Sequence, residues 1–177
     1  MPASLPADER GLREGRSLAA AAEAYLDDVY RYVLYLTGDR TLAEDLTSTT
    51  FERALQRWSR FDPKRGSAKT WLCQLARGAT LDYFRAEQRR RKREEAYEAE
   101  TSDVAEPVYG DGLSPALDDA LGELSAGERE VVALRVVLEL DGDQAARVLG
   151  ISPTAFSTRL SRALTKLSER VDADVRA

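Results

Sequence analysis

Bond-making chemistry needs nucleophiles, bases or metal ligands, and this sequence withholds most of them. Histidine is absent and Cys73 is the one cysteine among 177 residues. Ser-His-Asp and Cys-His catalysis, zinc fingers and disulfide scaffolds therefore lack their parts. No glycine-rich phosphate loop of either common type occurs. Cys73, between Leu72 and Gln74, reads as core filler. These features point away from an enzyme and from any cofactor or metal.

The residues that remain able to act are cations. Overall charge is −5, but its distribution is uneven. Lys64 to Arg93 carries ten bases against Asp82 and Glu87; Glu94 to Glu130 carries twelve acids against Arg129. From Arg147 to Arg170 five bases face Glu169 alone. Two basic blocks separated by an acidic one suggest two contacts with a polyanion.

Positioning those cations requires helices. Residues 1–16, with Pro2, Pro6, Gly11 and Gly15, are expected to form a disordered tail. Ser17 caps a predicted helix to about Leu36, with Tyr25, Leu26, Val29, Val33 and Leu36 on one stripe. Thr41 and Glu44 form a predicted capping box. They open a helix to about Trp58, whose inner face is Ala43, Leu46, Thr50, Phe51, Ala54 and Trp58. Phe61–Ser67 must be a loop. A third helix, about Lys69 to Arg93, turns Leu72, Leu75, Ala76, Ala79 and Tyr83 to one side and Arg77, Arg85, Gln88 and Lys92 to the other. The successive bases Arg89–Arg93, unpaired by local acids, suit phosphates better than a plain solvated face.

Positions 94–116 read as a flexible acidic linker. A second helical block follows from about Pro115. Leu117, Leu121 and Leu124 mark one helix. Ser125 with Glu128, and Asp141 with Gln144, give two more capping boxes. Gly150 can end a short helix in a left-handed turn, Ser152 can cap the next, and Pro153 fits its first position. The final helix turns Phe156, Leu160, Ala163, Leu164 and Leu167 inward. A short helix, a glycine turn and a longer helix is the helix-turn-helix layout. Its outer face, Thr154, Ala155, Thr158, Ser161, Arg162 and Thr165, is slim enough to enter a major groove.

The fold class is thus all-α: two small helical domains, 17–93 and 117–177, joined by the acidic linker, the second containing the helix-turn-helix. Apolar runs are too short to span a bilayer, so a soluble, cytoplasmic protein is expected. A stand-alone helix-turn-helix regulator would leave Lys64–Arg93 unexplained.

Both blocks together resemble the extracytoplasmic-function (group IV) sigma factors of bacterial RNA polymerase. The resemblance rests on AEDLTSTTFERALQRW (Ala43–Trp58), TWLCQLARGATLDYFRAEQRR (Thr70–Arg90) and DGDQAARVLGISPTAFSTRLSRALTKL (Asp141–Leu167). It implies a factor that binds core RNA polymerase through its clamp helices and flap, recognises promoter DNA and stabilises its opening. By position it implies polymerase contacts at Asp45, Leu46 and Phe51. It implies −10 contacts at Phe61, Arg65, Lys69, Thr70, Trp71, Arg77, Arg85, Arg89 and Arg90. For the −35 element it implies Arg147, Thr154, Ala155, Ser157, Thr158, Arg159 and Arg162. An anti-sigma protein as inhibitory partner is also implied. Gly78, Ser48 with Thr49, Ala145, Ala155 and Ser157 depart from the family's usual residues.

Overall fold

A computed structural model describes residues 17–95 and 115–175. The expected tail, most of the linker and the last two residues lie outside the described residues. Every regular element among the described residues is helical.

Helix α1 spans Leu18–Thr37, and the Ser17 side chain accepts from the Ala20 amide at 3.4 Å. It ends at Gly38, whose φ of 66° few side chains tolerate; the Gly38 amide donates to the Leu34 carbonyl at 2.8 Å. The stripe expected here needs correction. Val29, Tyr32 and Val33 are buried, while Leu26 is 49% exposed. Leu26 lies one residue, about 100°, from the Tyr25–Val29 line, which carries it out of the contact face.

Helix α2 covers Arg40–Arg57 and runs into a 3₁₀ turn at Trp58–Arg60. Its cap is Asp39, not the Thr41–Glu44 box expected from sequence: the Asp39 carboxylate accepts from the Leu42 amide at 2.9 Å. Gly38 reverses the chain and leaves Asp39 extended, so the helix begins before Thr41, with a negative charge at its positive end. Helix α3, Ala68–Glu95, is the longest and runs two residues past Arg93. Together α1, α2 and α3 enclose Val29, Val33, Leu46, Ala54, Leu72, Cys73 and Ala76.

The second unit comprises α4 (Pro115–Glu123), α5 (Ala126–Val132), α6 (Gly142–Leu149) and α7 (Pro153–Val175). Both capping boxes expected here form, at Ser125–Glu128 and at Asp141–Gln144. A single π-helical turn, Ala133–Val137, prolongs α5, closed by Leu138 N–H to Ala133 O at 3.0 Å. Leu121, Leu134, Leu138, Phe156 and Ala163 fill this core. Leu164, expected inward, is 43% exposed, because Phe156, Leu160, Ala163 and Leu167 keep the inner line and Leu164 falls beside it.

Candidate nucleic-acid interface

The loop between α2 and α3 is built by short-range polar bonds. Asp62 Oδ1 accepts from the Lys64 amide at 2.9 Å and the Asp62 carbonyl accepts from Arg65 N–H at 3.0 Å, folding the chain sharply at Pro63. Ser67 Oγ accepts from the Thr70 amide at 3.1 Å and starts α3. This turn brings three rings together: Trp58 and Phe61 stack with centroids 4.9 Å apart, and Trp71 meets them at 5.6 and 5.5 Å. Beside them opens a cavity of about 340 Å³, walled by Phe61, Arg65, Ser67, Thr70 and Trp71. An aromatic wall with a cation at its rim can take an unstacked base. Thr70 contributes little surface: it is 2% exposed, and its hydroxyl meets Ser67 Oγ at 2.9 Å.

Along α3, Arg85 and Arg89 are exposed, Arg85 lying 3.9 Å from Asp82. The basic run is not free of local acids, as the sequence suggested. Arg90 pairs with Glu87 at 2.8 Å and with Glu94 at 3.6 Å, and Arg91 with Glu87 at 3.6 Å. Helical spacing of three and four residues explains these pairs, and at such exposure they are weak and exchangeable for phosphate. Arg77, expected on the outer, phosphate-facing side, is instead bonded to Glu130, Nε to Oε1 at 2.8 Å. Lys69 pairs with Asp28 at 2.9 Å and donates to the Leu138 carbonyl at 2.7 Å. Cys73 is fully buried, and burial pushes its thiol up to about 12, so it offers no thiolate nucleophile.

In the second unit, Gly150 takes φ 67° and Ser152 Oγ accepts from the Ala155 amide at 3.2 Å, giving the expected turn. Thr154, Ala155, Ser157, Thr158, Arg159 and Arg162 are all exposed on α7. Thr158 Oγ donates to the Thr154 carbonyl at 3.0 Å, which keeps that face slim.

The profile described as Sigma-70 region 2 matches residues 21–90, and that described as Sigma-70, region 4 matches residues 114–167. The ECF RNA polymerase sigma factor SigM of Bacillus subtilis is 32% identical over 155 residues, covering 82% of this chain and 89% of that protein.

The chain belongs to the extracytoplasmic-function sigma factors.

Sigma factors of this family are promoter-recognising factors of RNA polymerase that act in transcription initiation. BldN of Streptomyces coelicolor is also similar, 34% identical over 161 residues covering 87% of this chain; the match spans 60% of BldN's own length. The same fold occurs in the sigma factor RpoE of Bartonella quintana, solved with the anti-sigma factor NepR. That likeness has a TM-score of 0.72 at 23% identity, over 87% of this chain and 96% of that one. CnrH, solved with the cytosolic domain of CnrY, has a TM-score of 0.64 at 23% identity, over 94% and 95% of the chains.

On this sigma factor the three residues expected from sequence to meet polymerase occupy different environments. Asp45 is exposed on α2, Leu46 is 6% exposed in the core, and Phe51 is half-buried. Ser48 and Thr49, expected from sequence to depart from the family pattern, donate back to the carbonyls of Glu44 and Asp45 at 3.1 and 3.0 Å. Tyr83, expected on the inner face of α3, is instead 38% exposed and packs edge-on against exposed Phe84; neither Phe84 nor Leu55, 72% exposed on α2, was assigned a role from sequence. The signal for Leu55 was available: it falls outside the inner line of α2 yet is apolar. No helix among the described residues is long and apolar enough to cross a membrane.

Proposed function

We propose that this sigma factor is non-catalytic, docks on core RNA polymerase in the cytoplasm, and opens promoters by capturing melted strand rather than by chemistry. The observation that carries the reading is the aromatic-walled cavity at the head of α3. It lies on the same helix as the exposed Arg85 and Arg89. Unpaired bases would enter against Phe61 and Trp71 with Arg65 at the rim, while Arg77, Arg85, Arg89 and Arg90 hold the neighbouring phosphates; Lys69, which pairs with Asp28 outside the cavity lining, would have to change partners to take part. Thr70 would act by shaping the Ser67 turn, which fits its burial.

The bare face of α7 would read a −35 element, with Thr154, Ala155, Ser157, Thr158, Arg159 and Arg162 in the groove and Arg147 on a phosphate. Asp45 and half-buried Phe51 on α2 would meet the polymerase clamp helices, with Leu46 supporting that face from the core, and the second unit would meet the flap. The units 17–93 and 117–177 would be joined by the acidic stretch 94–116; its charge supports a path along the polymerase's nucleic-acid channel. An anti-sigma protein is the expected inhibitor, and exposed Leu26, Phe84 and Val136 offer it apolar surface.

Promoter opening by the reconstituted holoenzyme tests the division of labour. Arg85→Glu with Arg89→Glu is expected to suppress strand opening, read by permanganate reactivity of thymines. It should also lower the slope of log affinity against log salt by about one unit per arginine. Arg162→Ala should leave strand opening intact but cost about 1–3 kcal/mol of upstream base discrimination. Equal loss at both elements from either substitution would contradict the assignment.

A further inference from the structure

The two units do not stand apart in this structure. A set of polar bonds joins them, and the partners on the first unit belong to the face that should hold melted DNA. Glu130, on α5, is 8% exposed. Its Oε1 accepts from Tyr32 Oη at 2.9 Å and from Arg77 Nε at 2.8 Å, and its Oε2 accepts from Arg77 Nη2 at 3.4 Å. Lys69 Nζ donates to the Leu138 carbonyl at 2.7 Å, just past the π turn. Arg147 on α6 donates to the Arg65 carbonyl at 3.1 Å, and Gln74 Nε2 donates to the Arg147 carbonyl at 3.0 Å. The Arg147 guanidinium thereby stands against the base cavity, 3.3 Å from where a Cβ on Gly66 would lie.

These contacts place a planar carboxylate on Arg77 in the two-toothed manner that a phosphate would use. They also withdraw Arg147 from duplex DNA. Elements centred near −10 and −35 lie roughly 85 Å apart at about 3.4 Å per base step, so units in direct contact cannot engage both. Positions 96–114, if fully extended, reach at most about 65 Å, which with the span of the units themselves allows separation. The bonds that join the units are polar: those of Arg147 and Gln74 are exposed to water, those of Lys69 and Arg77 partly so, and the Tyr32–Glu130 bond is buried, the mixture that interdomain interfaces carry.

We propose that the closed arrangement is a self-sequestering state in which Glu130 is the latch: its carboxylate occupies the arginine reserved for promoter phosphate, and polymerase must part the units. The proposal rests on the −10 reading given above and adds its regulation. Glu130 competes with DNA for Arg77, Arg147 is held in the cavity wall away from duplex DNA, and Tyr32 orients the carboxylate from the floor of the first unit.

Single-molecule energy transfer in the full chain tests it, with dyes at Gln56→Cys and Ser168→Cys, both exposed, and the buried Cys73 left in place. The unlabelled variants are assayed in parallel for a fluorescent single-stranded 20-mer of mixed dA and dT. Unmodified chain should show one high-transfer population. Glu130→Gln with Tyr32→Phe should add a low-transfer population and tighten oligonucleotide binding about ten-fold, whereas the charge-matched Asp119→Asn should do neither. Should the double variant misfold by circular dichroism, Tyr32→Phe alone, which removes one hydroxyl, must still shift the transfer distribution in the same direction. Transfer unchanged from the unmodified chain, or an unmodified chain already in low transfer, overturns the latch. Core polymerase is added last. A latch that opens in the variants of a chain unable to bind polymerase would refute the proposed polymerase docking and leave the closed state standing.

Discussion

Glu128 shows how one side chain serves two elements. It closes the capping box of α5, accepting from the Ser125 amide at 2.9 Å, and it pairs with Lys166 of α7 at 2.6 Å. The Lys166 ammonium, with the Ser125 amide behind it, lowers its carboxyl from 4.5 to about 2. A depressed carboxyl stabilises the fold while ionised, so its contribution is complete above the unfolded value and drains away as pH falls from about 4.5 toward 2. Thermal midpoints of the native chain and Glu128→Gln should therefore differ at pH 6 and converge near pH 2; a constant gap would contradict the pairing. Roles at this scale were legible where a residue acts on its own helix. Ser17, Ser125, Asp141 and Ser152 all cap as their spacing suggested. The bond from Arg77 to Glu130 was not legible, because a position on α3 says nothing of an acid 53 residues away.

Among the elements, the helix-turn-helix depends on its two ends. Asp141 accepts from the Gln144 amide at 2.8 Å, Gln144 returns a bond at 3.2 Å, and Gly150 closes the helix in the left-handed region. Asp141→Ala is expected to cost about 1 kcal/mol of stability in denaturant unfolding. Because α6 backs α7, it should also weaken −35 recognition with no DNA contact removed; an unchanged unfolding midpoint would contradict the cap. Glycine, proline and capping residues announced this element plainly. The π turn at Ala133–Val137 had no such announcement, since five consecutive residues, Ala-Leu-Arg-Val-Val, fit an α-helix equally well. The exposed Leu26 and Leu164 mark the same limit: a leucine adjacent to an inward line reads as part of it until neighbouring helices settle which stripe is covered.

At the scale of the whole molecule, two helical units and their order along the chain follow from periodicity and charge, but their mutual packing does not. Tyr32 and Glu130 are 98 residues apart, and each alone reads as an ordinary aromatic and an ordinary surface acid. The cavity at Phe61 and Trp71 was legible as a set of residues, while the wall that Arg147 adds to it belongs to the packed molecule. On the proposed reading, a net charge of −5 and two small DNA faces should leave the free chain a poor binder of duplex, with affinity supplied by assembly with polymerase. The most direct measurement is the mapping of transcript 5′ ends made by core polymerase on the encoding genome's DNA, with and without the purified chain. New start sites sharing two spaced upstream elements, appearing only when the chain co-migrates with polymerase, are the expected result. Identical 5′ ends in both reactions, or tight sequence-specific duplex binding by the chain alone, would contradict it.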